Sequence, residues 1–184
     1  LAGVNKNDEV IIPAQTFIAT GLAVLYQQAK PIFADIEYST GNIDPIAIKK
    51  KITKKTKAIL PVHWAGYPAD LQTIGAIAKE YNLTIIEDAA QALGALYKGK
   101  PIGSISPFTC FSFQAIKHVT TGDGGAIACQ KIKDANSGTF KKQIKTHCRN
   151  MIILPFMVGL LLYIYDGRSF VAVQITQDMI GHYL

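Results

Sequence analysis

Residues 84–125, TIIEDAAQALGALYKGKPIGSISPFTCFSFQAIKHVTTGDGG, carry the pattern from which the fold is read. Thr84, Ile85 and Ile86 form a short β-branched run, the composition of a strand. The run ends on two carboxylates, Glu87 and Asp88, followed by small residues and Gln91. A second apolar run, residues 108–113, carries Ser112 and leads to Lys117 and the glycine-rich residues 120–125. In open α/β sheets ligands sit at the carboxyl ends of strands, and Asp88 falls at such an end. Successive strand side chains point to opposite faces, so only one of Glu87 and Asp88 can meet a ligand there.

Outward from this stretch the chain alternates between strand and helix. Residues 9–12 read as a strand, with Pro13 stopping regular pairing. Residues 16–28 have helical apolar spacing through Ile18, Leu22 and Leu25. A strand at 31–36 follows, then Asp44-Pro45, an N-cap with proline at the first helical position, opening a helix toward Ile52. Residues 57–62 have the continuous apolar run of a strand covered on both faces. Residues 63–66 form a loop, and Asp70 caps a helix with Leu71, Ile74, Ile77 and Ala78 on its inner face. Further strands are expected at 83–87, 108–113 and 125–129. Short connections between alternating strands and helices predict a mostly parallel sheet wrapped by helices.

The chain has 184 residues, 49% hydrophobic and 17% charged, enough for one domain with a sizeable core and unlike a disordered segment. Residues 1–130 hold 12 Lys/Arg and 10 Asp/Glu, so most of the net +6 lies beyond them. The lysines at 49–57 suit the solvated end of a helix, and no nucleic-acid partner is expected. Cys110, Cys129 and Cys148 lack disulfide or metal spacing and read as reduced thiols, so no metal is expected and a cytoplasmic location is. The N-terminus lacks a signal-peptide pattern and begins without methionine, so the chain is expected to be a fragment.

Beyond about Gln130 the character changes. Residues 131–145 are basic and polar, and 151–165 are almost wholly apolar, too short to span a bilayer comfortably and without clean strand or helix periodicity. Two parts are expected, a ligand-binding part at 1–130 and a divergent or disrupted tail at 131–184. The tail is read as damaged or out of frame, with a divergent helix or a short membrane-associated segment as alternatives.

A lysine can hold an aldehyde cofactor as a Schiff base, and a carboxylate can keep that cofactor's ring nitrogen protonated. DAAQALGA (88–95) and FSFQAIKHVTTGDGG (111–125) closely resemble the two signature segments of the DegT/DnrJ/EryC1/StrS family. Its members are aminotransferases of nucleotide-linked sugars that depend on pyridoxal 5'-phosphate, and the similarity runs from about residue 7 to 129. The resemblance implies the three-layer α/β/α large domain of the aspartate-aminotransferase (type I) fold, here truncated. It implies Lys117 as the Schiff-base lysine and general acid/base, and selects Asp88 over Glu87 for the ring nitrogen. Gln91 would meet the ring hydroxyl, Ser112 the phosphate, and Phe17 would stack on the ring.

Each residue also has a plainer role. Asp88 could be a turn cap, Ser112 a strand serine, Phe17 and His63 core residues, and residues 120–125 a tight turn. By the resemblance the substrates are a nucleotide-linked keto-sugar and an amino-acid donor such as glutamate, and the full-length protein is a homodimer without a membrane segment. The absence of arginine from residues 1–148 suits a sugar better than an α-keto acid held by a bidentate clamp. A sugar dehydratase of the same family would carry histidine in place of Lys117. A dinucleotide-binding domain would need G-x-G-x-x-G after the first strand, where IIPAQTFIAT stands. The remaining alternative is a non-catalytic fragment. The family's phosphate-binding segment is expected before Leu1 and its small domain after the tail, so the chain as written is expected to hold cofactor weakly and be inactive.

Overall fold

The structure, a computed structural model, describes residues 2–129, 144–146, 153 and 157–184. It divides into two compact units, Leu1–Ala128 and Cys129–Leu184.

In the first unit β1 (Glu9–Pro13) is followed by α1 (Ile18–Tyr26), β2 (Lys30–Ala34) and α2 (Pro45–Lys51). The chain continues through β3 (Thr56–Ile59), α3 (Leu71–Glu80) and β4 (Thr84–Asp88). A small hairpin, β5 (Leu96–Tyr97) and β6 (Lys100–Pro101), precedes β7 (Phe108–Ser112) and β8 (Gly125–Cys129). The main sheet has the order β2-β1-β3-β4-β7-β8, and its pairs from β2 to β7 are parallel. Pro13 does not end the pairing before it. It is the last residue of β1, opposite Ala34, where a missing N–H is tolerated.

The expected alternation and caps appear in the structure. The Asp44 carboxylate accepts from Ile46 N, with Pro45 at the first helical position, and Asp70 accepts from Thr73 N. Leu71, Ile74, Ile77 and Ala78 are the buried face of α3. Residues 16–28 form a helix only over Ile18–Tyr26, because Phe17 is extended and Gln28 is left-handed (φ 57°).

The direction of the crossovers decides the layers. The connection through α1 goes from β1 outward to β2, and that through α2 returns past β1 to β3. Right-handed crossovers in opposite directions put their helices on opposite faces. Strand parity shows the result. Val10, Ile12, Ala58 and Leu60 pack with Val24 of α1. Ile11, Ile59 and Ile85 pack with Ile48 of α2 and Ile74 and Ile77 of α3. This is a helix–sheet–helix sandwich with a mostly parallel sheet, the α/β/α class expected.

In the second unit β10 (Leu161–Tyr165) pairs antiparallel with β11 (Phe170–Gln174) and parallel with β9 (Ile144–Thr146). Asp166 and Gly167 make the hairpin turn. The Asp166 carboxylate accepts from Arg168 N and Ser169 N at 2.7 Å each, and Gly167 has φ 108°. Strand alternation is therefore present where the sequence showed none. Leu162 and Ile164 point inward while Leu161 is 47% exposed, so apolar residues on both faces hide the period. Ile153, Met157, Leu160, Leu162, Ile164 and Ile175 form one buried cluster, while Leu161 on the other face of β10 stays exposed. Cys148, the basic residues 131–143, and 151, 152 and 154–156 lie outside the described residues. Among the described residues no helix is long and apolar enough to cross a membrane.

Candidate functional site

β4 delivers two carboxylates to two environments by strand alternation alone. Glu87 has the parity of Ile85 and lies on the α3 side, fully buried. Its Oε2 accepts from His63 Nε2 at 2.8 Å and its Oε1 from Ser106 N at 3.0 Å. His63 Nδ1 accepts from Ala69 N at 3.1 Å, so the bonding pattern assigns the ring proton to Nε2. Burial alone would raise the Glu87 carboxyl, but the bonds from His63 and Ser106 hold it below the ordinary carboxylate range. Glu87 is thus committed to a structural pair.

Asp88 has the parity of Ile86 and lies on the α1 side. Its Oδ2 accepts from the Thr20 hydroxyl at 2.8 Å and its Oδ1 from Ala90 N at 3.1 Å. Its backbone is pinned in the sheet, with Asp88 N donating to Pro61 O and His63 N to Asp88 O. On β7 Cys110 stands opposite Asp88 and so shares its face, as does Ser112 two residues on. Burial, and then the charges of Asp88 and Glu87, push the Cys110 thiol up to about 11, so it stays protonated and is no nucleophile at neutral pH.

After β3 the chain makes a single 3₁₀ turn, Trp64–Gly66, with Ala65 at φ 51° and Gly66 at φ 84°. Buried Asn42 ties it down, accepting from Trp64 N at 2.9 Å and donating to Tyr67 O at 3.1 Å. The turn aims Ala65 N at Gln91 Oε1, 2.7 Å away. With its carbonyl oxygen engaged, Gln91 presents its NH₂ group as the free donor. Gly66 is required here, since a Cβ would stand 2.9 Å from Gln91 O at a positive φ.

Lys117 lies in a turn closed by Lys117 N to Gln114 O at 2.9 Å. Residues 120–124 form a self-satisfied loop. Thr120 Oγ1 donates to Phe113 O and Gly122 N to Thr120 Oγ1, so the glycine-rich run is the tight turn into β8.

One cavity of about 690 Å³ has Phe17, Asp88, Gln91, Ser112 and Lys117 in its wall, together with Thr20 and Cys110. All five residues singled out in the sequence therefore border the same space, on the α1 side at the carboxyl ends of β4 and β7. Phe17 is 73% exposed. His118 is exposed and outside the wall. Thr16, Thr20, Asn42 and the His63–Glu87 pair were not singled out. The helix expected over 16–28 would have put Thr16 and Thr20 one turn apart, although the helix starts only at Ile18. The donor set suits a planar cofactor with a ring nitrogen, a ring hydroxyl and an aldehyde. Asp88, Gln91 and Lys117 border one largely apolar cavity that also has the exposed Phe17 in its wall.

The model of the DegT/DnrJ/EryC1/StrS aminotransferase family matches residues 1–147, and that of ribosomal protein S19 matches residues 125–184. The chain is 52% identical over 124 residues to "Uncharacterized protein MJ1066" of Methanocaldococcus jannaschii, covering 67% of this chain and 32% of that protein. It is 45% identical over 125 residues to GDP-perosamine synthase of Escherichia coli O157:H7, covering 68% and 34% respectively. Among solved structures, NtdA from Bacillus subtilis with bound cofactor PMP superposes with a TM-score of 0.66 at 43% identity, over 70% of this chain and 29% of that one. The chain spans about a third of the length of the curated relatives it matches.

Proposed function

Since this chain belongs to the DegT/DnrJ/EryC1/StrS aminotransferase family, we propose that the whole protein moves an amino group from an amino acid, glutamate being the expected donor, to a nucleotide-linked keto-sugar. The observation that carries this is the single cavity bordered by Asp88, Gln91, Ser112 and Lys117. The cofactor would be pyridoxal phosphate, whose protonated ring supplies an electron sink when bound. Lys117 would hold it through the ε-amine and, once released, move the proton at the reacting carbon. Asp88 would accept the ring N–H, and Gln91, whose Oε1 is engaged by Ala65 N, would donate through its NH₂ to the ring hydroxyl. Ser112 Oγ accepts from Gln114 N at 3.3 Å, leaving its hydrogen free for a phosphate oxygen. Phe17 would cover the ring face and limit water access. A cytoplasmic homodimer is the expected form. Lysine rather than histidine at position 117 favours amino transfer over the dehydratase alternative.

The test is spectroscopic first and kinetic second. Pyridoxal phosphate added to the whole protein should give a visible band that borohydride fixes onto Lys117. Lys117→Ala and Lys117→His should both lose the band and all amino transfer to a keto-sugar, a drop of at least about a thousandfold, since this group both binds and moves the proton. An undiminished band in either variant would assign the cofactor to another residue.

A second proposal concerns Cys129–Leu184 alone. Its similarity to ribosomal protein S19 and the basic surplus beyond residue 130 support an RNA-contacting unit, against the expectation from sequence of a damaged tail and no nucleic-acid partner. Binding to structured RNA should weaken steeply between about 50 and 200 mM salt, and binding no tighter than that of an unrelated protein of equal charge would refute it.

A further inference from the structure

The hydroxyl on Asp88 comes from outside the signature segments. Thr20 lies in the first turn of α1, sixty-eight positions from Asp88 in sequence, and is 4% exposed. A helical threonine usually turns its hydroxyl back to the carbonyl four residues earlier. Here the hydroxyl points across to a carboxylate on another element. Its remaining contact is the Thr16 hydroxyl at 2.7 Å.

The direction of these bonds follows from counting protons. A hydroxyl has one hydrogen and an ionised carboxylate has none, so the Thr20 proton lies toward Asp88 Oδ2. The 2.7 Å contact between the hydroxyls must then run from Thr16 to Thr20. The result is a one-way chain, Thr16 to Thr20 to Asp88. Ala90 N holds only Oδ1, from two residues along the same strand end. Holding both oxygens from different elements fixes the plane of the carboxylate as well as its position.

We propose that Thr20, supported by Thr16, is a positioning residue that sets the orientation of Asp88 toward the cofactor ring nitrogen. The proposal rests on the cofactor reading above and deepens it. A carboxylate held in one orientation keeps its bond to a protonated ring nitrogen, and a hydrogen bond to the charged form favours that form. The N-cap of the same helix, Phe17, borders the same cavity. The start of α1 therefore sets both the ring face and the partner of the ring nitrogen.

Thr20→Val keeps the shape and removes the donor, Thr20→Ser keeps the donor, and Thr16→Val removes the second member of the chain. In cofactor-free protein, three-bond NMR couplings should show Asp88 in one χ1 rotamer in the wild type and in Thr20→Ser. Thr20→Val should show rotamer averaging. With ¹⁵N-labelled pyridoxal phosphate bound, the ring nitrogen should be protonated in the wild type and Thr20→Ser and shift toward the unprotonated value in Thr20→Val. The loss of kcat should be about tenfold with KM within about twofold, the scale of one charge-assisted hydrogen bond. Thr16→Val should move each readout the same way by less. A single Asp88 rotamer and an unchanged ring ¹⁵N shift in Thr20→Val would overturn the proposal. If Thr20→Val does not fold, unchanged couplings and ring shift in Thr16→Val would do so. Wild-type protein without a Lys117-dependent band would instead sink the cofactor reading, and this inference with it.

Discussion

Glu87 and Asp88 show how much a single bond of chain decides. They share chemistry and sequence context, yet alternation sends one into a buried pair with His63 and the other to the cavity wall. The pair carries a stability prediction whose sign follows from its direction. The folded Glu87 carboxyl lies below its ordinary 4.5, so its contribution is complete above about that pH and is lost as pH falls through the lower folded value. Glu87→Gln should reduce stability at pH 7 by about 1.5–3 kcal/mol, the range for a hydrogen bond to a charged group. It should also flatten the loss of stability between about pH 5 and 3. Urea unfolding of both proteins across that range checks it, and an equally steep acid limb in the variant would assign the loss to other carboxylates.

At the scale of elements, legibility followed the number of faces buried. α3 and α2 show a cap residue and one apolar stripe, and both were readable from sequence. The β5–β6 hairpin was not, because its strands are two residues long and its signal is only Lys98-Gly99, both at positive φ (50° and 77°). β10 was missed for the opposite reason, an excess of apolar residues on both sides. Its inward side chains now make a definite prediction. Leu162 is 1% exposed within the cluster around Met157 and Ile164, so Leu162→Ala should destabilise the Cys129–Leu184 unit by about 2–5 kcal/mol. Hydrogen exchange should show increased opening of β10 and β11, with β1, β3 and β4 unchanged. Equal loss of protection in both units would show that they unfold as one.

At the scale of the molecule, the sequence by itself determined the strand–helix alternation, the helix caps and five of the side chains that border the cavity. Those features are local: a β-branched run, an Asp-Pro cap and a stripe at helical period are written within about a dozen residues. The family's two signature segments likewise lie in one continuous stretch. What only the tertiary structure decided was every relation between distant segments. The return of the chain past β1 puts α1 on the face opposite α2 and α3, and only then do Thr20 and Asp88 meet. The same packing closes the Asn42 and Gln91 contacts on the Trp64–Gly66 turn. It also gathers Ile153, Leu160 and Ile175 into a core that no period in the tail announces. Hydroxyls and amides carry no periodic signature, so their partners are set by which faces the crossovers bring together, and that is a property of the folded chain.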